Sequence, residues 1–130
     1  MSRVQLALNV ADLEQAIEFY SRLFDTKPAK IKPGYANFAV ADPPLKLVLF
    51  EAPGATEQLN HLGVEVESTD EVARTHQRVE AQGLEAQEDN GTCCYAVQDK
   101  IWLEGPDHRW EIYTVLEDSE TFACAPDGCG

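Results

Sequence analysis

Apolar and polar positions alternate through the first ten residues: Val4, Leu6, Leu8 and Val10 share one parity, and Gln5, Ala7 and Asn9 the other. A period of two predicts a strand with its aliphatic face on a core. The period then changes. Leu13, Ile17, Tyr20 and Phe24 recur at helical spacing; Asp12 stands in the N-cap position before them, and Gln15 is placed to complete a capping box. The helix is predicted to end near Asp25. Short strands follow at 29–32, 34–41 and 46–51, separated by the breakers Pro33-Gly34 and Asp42-Pro43-Pro44.

The same order returns in the second half. In NHLGVEV, Leu62, Val64 and Val66 share one parity; Ser68 or Thr69 can cap a helix through Val72 and Val79, and Gly83 supplies its stop. Strands are predicted at 84–87, 92–98 and 109–115, with Gly105-Pro106-Asp107 as a turn. The order βαβββ thus occurs twice, and neither copy alone could bury both faces of a four-stranded sheet. We expect a single domain over 1–116, with modules at about 1–55 and 58–116, and a flexible acidic tail containing cysteines over 117–130.

This tandem arrangement, from VQLALNV onward and from NHLGVEV onward, resembles the vicinal-oxygen-chelate superfamily of glyoxalases, bleomycin-resistance proteins and extradiol dioxygenases. The resemblance covers roughly residues 3 to 116. It implies an α+β fold in which two βαβββ modules form a curved mixed sheet around a metal-containing cavity. Such a fold hosts binding proteins and several enzyme chemistries, so the site residues must decide the function.

Composition narrows the partners. The 130 residues are 44% hydrophobic, enough for one ordinary core, and carry a formal net charge of -13 with only ten Lys and Arg, scattered along the chain. A phosphate-binding surface requires clustered cations, so no nucleic-acid partner is expected. No apolar run approaches membrane-spanning length, and MSRVQLALNV lacks the long apolar run of a signal peptide. A cytoplasmic protein without a membrane partner is expected, its four cysteines serving as thiols or ligands; Cys124 and Cys129 could pair outside the cell.

Strand parity locates candidate donors. With Leu6 and Leu8 toward the helices, Gln5 faces the other way, and His61 occupies the equivalent place in the repeat. In RWEIYTV, Glu111 lies on the face opposite Trp110 and Ile112. Laying GPDHRWEIY over DPPLKLVLF aligns Glu111 with Val48, which removes a fourth protein donor. A His, Gln or Glu alone in a strand is ordinary. Three at repeat-related positions, leaving coordination positions open, suit a metal that must also bind substrate or oxygen. His76, on the polar side of a helix, and His108, in a turn, are read as surface residues.

Cys93 and Cys94 pose a different question, because neighbours in a regular strand point to opposite faces. They could be small apolar residues entering a strand. If Asn90-Gly91-Thr92 keeps the backbone irregular, both sulfurs could reach one soft centre, such as a soft metal or trivalent arsenic or antimony. Lys100 could assist thiolate formation as a cationic neighbour, although a lysine on a strand is expected in solvent. Tyr95 and Val97 could line a pocket for an aryl group or pack in the core. Cys124 and Cys129 could deliver or remove the soft ligand.

The stretch GTCCYAVQDKIWLEGPDHRWEIYTV, with NHLGVEV and YANFAVADPPLKLVLFE, is similar to the ArsI carbon-arsenic lyases, also called CadI proteins. The TCCYAVQDK segment is far more specific than the superfamily pattern. The resemblance implies a non-haem iron(II) dioxygenase, with molecular oxygen as co-substrate, that converts trivalent organoarsenicals such as methylarsenite and reduced aromatic arsenicals to arsenite. It implies metal ligands Gln5, His61 and Glu111 and substrate thiols Cys93 and Cys94. Family members often carry His where Gln5 stands here. A thiol protein that sequesters cadmium or metalloids without chemistry is the rival expectation. Both modules lie in one chain, so a monomer would suffice, and a homodimer is compatible.

Overall fold

Strand β1 (Arg3–Val10) leads through Asp12 into helix α1 (Leu13–Leu23), followed by β2 (Lys30–Lys32), β3 (Tyr35–Val40) and β4 (Leu45–Glu51). Then come β5 (Leu59–Glu65), α2 (Thr69–Ala81), β6 (Gln87–Glu88), β7 (Gly91–Cys93), β8 (Ala96–Glu104) and β9 (Arg109–Asp118), so the chain is α+β. The computed structural model describes residues 2–93 and 95–118, with Thr92 and Cys93 by backbone alone. Among the described residues no helix is long and apolar enough to cross a membrane.

Both helices start and stop as the local sequence dictates. The Asp12 carboxylate accepts from the Gln15 amide at 3.0 Å, and the Ser68 hydroxyl accepts from the Glu71 amide at 3.2 Å. Each satisfies one of the amides left over in a first helical turn. At the other end of α2 the Leu84 amide reaches the Val79 carbonyl and the Gly83 amide the Glu80 carbonyl, a Schellman motif with Gly83 at φ +86. Helix α1 closes in the same way through Thr26 to Ser21, with Asp25 at φ 49.

The chain divides into two compact units, Arg3–His61 and the residues from Leu62 onward, the latter together with Ser2. In the first, the strand order is β2-β3-β4-β1, with β1 and β4 parallel and the other pairs antiparallel. Leu6, Leu8 and Val10 pack with Ile17, Tyr20 and Phe24 of the α1 stripe against the buried Phe38, Leu47 and Leu49. Val4 departs from its parity group and is exposed. Gln5, Ala7, Tyr35, Asn37 and Val48, of the alternate parity, are also buried.

In the second unit β5 runs parallel to β9, β9 pairs antiparallel with β8, and β8 pairs with both β6 and β7. Val72, Val79 and Ile101 form its helix-side core with Val66, Leu103 and Ile112. Equivalent registers appear in the two units. Ala7 of β1 pairs with Val48 of β4, and Gly63 of β5 with Glu111 of β9. Since Ala7 and Gly63 lie two residues after Gln5 and His61, Val48 and Glu111 are equivalent positions, as the aligned turns predicted.

Two expectations are corrected here. The strand predicted over 92–98 is broken: β7 ends at Cys93, β8 starts at Ala96, and the two pair antiparallel with Cys93 opposite Ala96. Tyr95, at φ 65, carries the left-handed backbone that this reversal needs. Of the strand predicted over 84–87 only Gln87 lies in one, the two-residue β6, while β8 continues through Asp99 and Lys100 to Glu104. Partners from elsewhere in the chain accommodate both charged residues: the Thr69 hydroxyl donates to Asp99 at 2.7 Å, and Lys100 meets Glu111.

Candidate functional site

Strand alternation turns Gln5 away from the helix, and β5 presents His61 in the same unit. The two side chains meet. Gln5 Nε2 lies 3.1 Å from His61 Nε2, with Gln5 3% and His61 0% exposed. An amide and an imidazole buried to this degree require hydrogen-bond partners, and each partly supplies the other's need. His61 Nδ1 lies 2.8 Å from Asn60 Oδ1. Asn60 Nδ2 donates to Asn9 Oδ1 at 3.1 Å, and Asn9 Nδ2 donates to the Glu57 carbonyl at 3.0 Å. Alternation put Asn9 on the face of Gln5 without giving it a role, and Asn60 went unnoticed; their role depends on which strands are neighbours.

Glu111 is 1% exposed, on the face of β9 shared with Tyr113. Across the ladder Trp102 is opposite Glu111, and Lys100 is opposite Tyr113. This diagonal brings Lys100 Nζ to 3.4 Å from Glu111 Oε2. Lys100 is 1% exposed, so the expectation of a solvent-facing lysine is overturned. Its ammonium lies 5.4 Å from the Trp102 ring centre and 5.7 Å from that of Tyr113, within cation-π range of both. Buried charge survives because a carboxylate and two aromatic faces replace water.

The surrounding polar groups are tied down in turn. Trp102 Nε1 donates to Asp89 at 3.2 Å, the Tyr113 hydroxyl donates to Glu65 at 3.2 Å, and the Arg109 guanidinium stacks 4.4 Å from the Trp102 ring centre. Sequence reading missed Trp102 and Arg109; the alternation of Lys100 with Trp102 along β8 was the signal available.

The other candidates divide as follows. Tyr95 is buried and Val97 half-buried, the latter opposite Thr92 on β7 and Glu117 on β9. Cys93 closes β7 by its backbone, while its side chain and Cys94, Cys124 and Cys129 lie outside the described residues. His76 is half-buried beside Glu80 at 3.1 Å and Glu88 at 3.6 Å, while His108 is exposed in the β8-β9 turn. Among the described residues no three His, Cys, Asp or Glu side chains group to hold a metal. Gln5, in contact with His61, carries a terminal amide that can turn to present oxygen in place of nitrogen.

A family model described as Glyoxalase/Bleomycin resistance protein/Dioxygenase superfamily matches residues 3–112. The chain is 63% identical over 128 residues to the cadmium-induced protein CadI of Mycobacterium tuberculosis, covering 97% of this chain and 84% of that one. It is 57% identical over 130 residues to the trivalent organoarsenical cleaving enzyme of Thermomonospora curvata, covering 98% and 86%. Among solved structures, the Mn(II)-bound glyoxalase from Novosphingobium aromaticivorans superposes with a TM-score of 0.63 at 16% identity, over 97% of this chain and 44% of that one. That likeness bears on the fold alone.

Proposed function

Because the chain belongs to the glyoxalase/bleomycin resistance protein/dioxygenase superfamily, we propose that it cleaves the carbon-arsenic bond of trivalent organoarsenicals, releasing arsenite. Methylarsenite and reduced aromatic arsenicals are the proposed substrates, and detoxification the outcome. The observation that carries this reading is the buried Gln5–His61 pair, an amide and an imidazole in contact at 3.1 Å at repeat-equivalent positions. The relative named a trivalent organoarsenical cleaving enzyme supports it at 57% identity.

Gln5, His61 and Glu111 are the proposed ligands of iron(II). Their chemistry fits: an imidazole, an amide oxygen and a single carboxylate suit a borderline divalent ion, and Val48 at the position equivalent to Glu111 offers no fourth donor. Iron bound there would supply a redox-active centre for the activation of molecular oxygen.

The protein's own groups do the rest. Cys93 and Cys94 exchange their two thiols for the two hydroxyls of R-As(OH)2, forming two As-S bonds and releasing two waters. The substrate is then held by its arsenic, and molecular oxygen is the oxidant of its organic group: for methylarsenite the overall change CH3As(OH)2 + O2 gives As(OH)3 and formaldehyde. After cleavage, water hydrolyses the As-S bonds, restoring the thiols and freeing arsenite. Lys100 balances the Glu111 carboxylate across their 3.4 Å contact. We assign the reaction to the reducing cytoplasm, where the thiols persist.

A second reading, sequestration of cadmium or a metalloid by the thiols, is favoured by the 63% identity to a protein named as cadmium-induced. One experiment separates the two. Protein reconstituted anaerobically with iron(II) is given oxygen and methylarsenite, and arsenite and oxygen uptake are followed in wild type and Cys93→Ser. Arsenite release with oxygen consumption in wild type alone is the result expected of a lyase. Binding without either would select sequestration.

A further inference from the structure

The hydrogen bonds around His61 read in one direction only. The Glu57 carbonyl is an acceptor and never a donor, so Asn9 must turn its Nδ2 toward it, at 3.0 Å. Asn9 Oδ1 then faces Asn60 and accepts from its Nδ2 at 3.1 Å. This leaves Asn60 Oδ1 for His61 Nδ1, 2.8 Å away. An amide oxygen cannot donate, so the hydrogen must sit on Nδ1. In the neutral ring Nε2 is therefore the lone-pair nitrogen, and Gln5 Nε2 donates to it at 3.1 Å. Each orientation follows from the previous one, back to a main-chain carbonyl that cannot be reversed.

We propose that Asn9 and Asn60 are positioning residues that hold His61 in its Nδ1-H tautomer and so keep the Nε2 lone pair presented toward Gln5. The consequence for metal binding rests on the ligand assignment above; the tautomer itself does not. The relay is needed because the alternative is close at hand. If Asn60 offered no acceptor, His61 could carry its proton on Nε2, and the Gln5 amide could turn its oxygen to accept it. Both side chains would still be hydrogen-bonded, but Nε2 would no longer offer a lone pair to a metal. Outer partners of this kind fix ring orientation and tautomer in metal sites, and their loss typically lowers metal affinity by about 10–100-fold.

The test compares wild type, Asn60→Ala, Asn60→Asp and Asn9→Ala, as full chains without metal, by the 15N resonances of the His61 ring. These distinguish a protonated nitrogen from an unprotonated one. Wild type and Asn60→Asp, which retains an acceptor, are expected to show Nδ1-H; Asn60→Ala is expected to gain Nε2-H, and Asn9→Ala to show a mixture. Co(II) affinity, measured on the same proteins, is expected to fall at least about 10-fold in Asn60→Ala and to recover in Asn60→Asp. A wild-type ring protonated on Nε2, or an Asn60→Ala ring unchanged from wild type, overturns the relay. The expected tautomers in a wild-type protein that binds no Co(II) would uphold the relay and overturn the metal assignment.

Discussion

Lys100→Met removes one charge from a buried pair and leaves its partner in place. Lys100 and Glu111 are each 1% exposed, so solvent screening does little for either. Removing one member of such a pair costs about 3–5 kcal/mol, because the remaining charge stays buried. The 3.4 Å separation is long for a charge-assisted hydrogen bond, and Glu111 has other interactions, which argues for the lower end. Loss of the cation-π contacts with Trp102 and Tyr113 adds about 0.5–1 kcal/mol. We therefore expect a destabilisation of about 3–4 kcal/mol, large against the roughly 5–15 kcal/mol that holds a domain folded. Urea unfolding with a chelator present measures it by linear extrapolation. Lys100→Met/Glu111→Gln removes both charges and should cost less than the two single changes together, with a coupling energy of about 1–3 kcal/mol. A Lys100→Met loss below about 1 kcal/mol with no coupling would refute the reading that the two buried charges compensate each other.

Other substitutions probe separate parts of the argument. Gln5→His replaces an amide donor with imidazole and should tighten iron(II) or Co(II) binding, read by competition titration; unchanged or weaker affinity would argue against Gln5 as a ligand. Asp12→Ala and Ser68→Ala each delete a helix N-cap and should each cost about 1 kcal/mol in chemical denaturation. At Gly105, an added Cβ would meet the His108 carbonyl oxygen at 2.7 Å, inside the turn closed by the Gly105 amide to that same oxygen. Gly105→Ala should therefore lower stability by about 1–3 kcal/mol through forced displacement of the backbone, seen as a lower thermal midpoint.

Local pattern was sufficient for much of this protein. The caps Asp12 and Ser68, the extents of both helices and the equivalence of Val48 with Glu111 could all be read from the residues. Caps depend on neighbours three positions away, and repeat equivalence depends only on order along the chain. Alternation also told which face Gln5 occupies. It did not tell what lies opposite. The charges at Asp99 and Lys100 interrupted the strand pattern, yet β8 runs through both, because Thr69 and Glu111 approach from other elements. The reversal between Cys93 and Ala96 was hidden because Tyr95, at φ 65, takes a backbone conformation usually signalled by glycine or asparagine. The Asn9–Asn60–His61 relay was equally hidden, since it joins residues about fifty positions apart. Periodicity along a chain assigns a side chain to a face at low cost; pairing across strands, which depends on long-range register, decides its partner and hence its proton and charge.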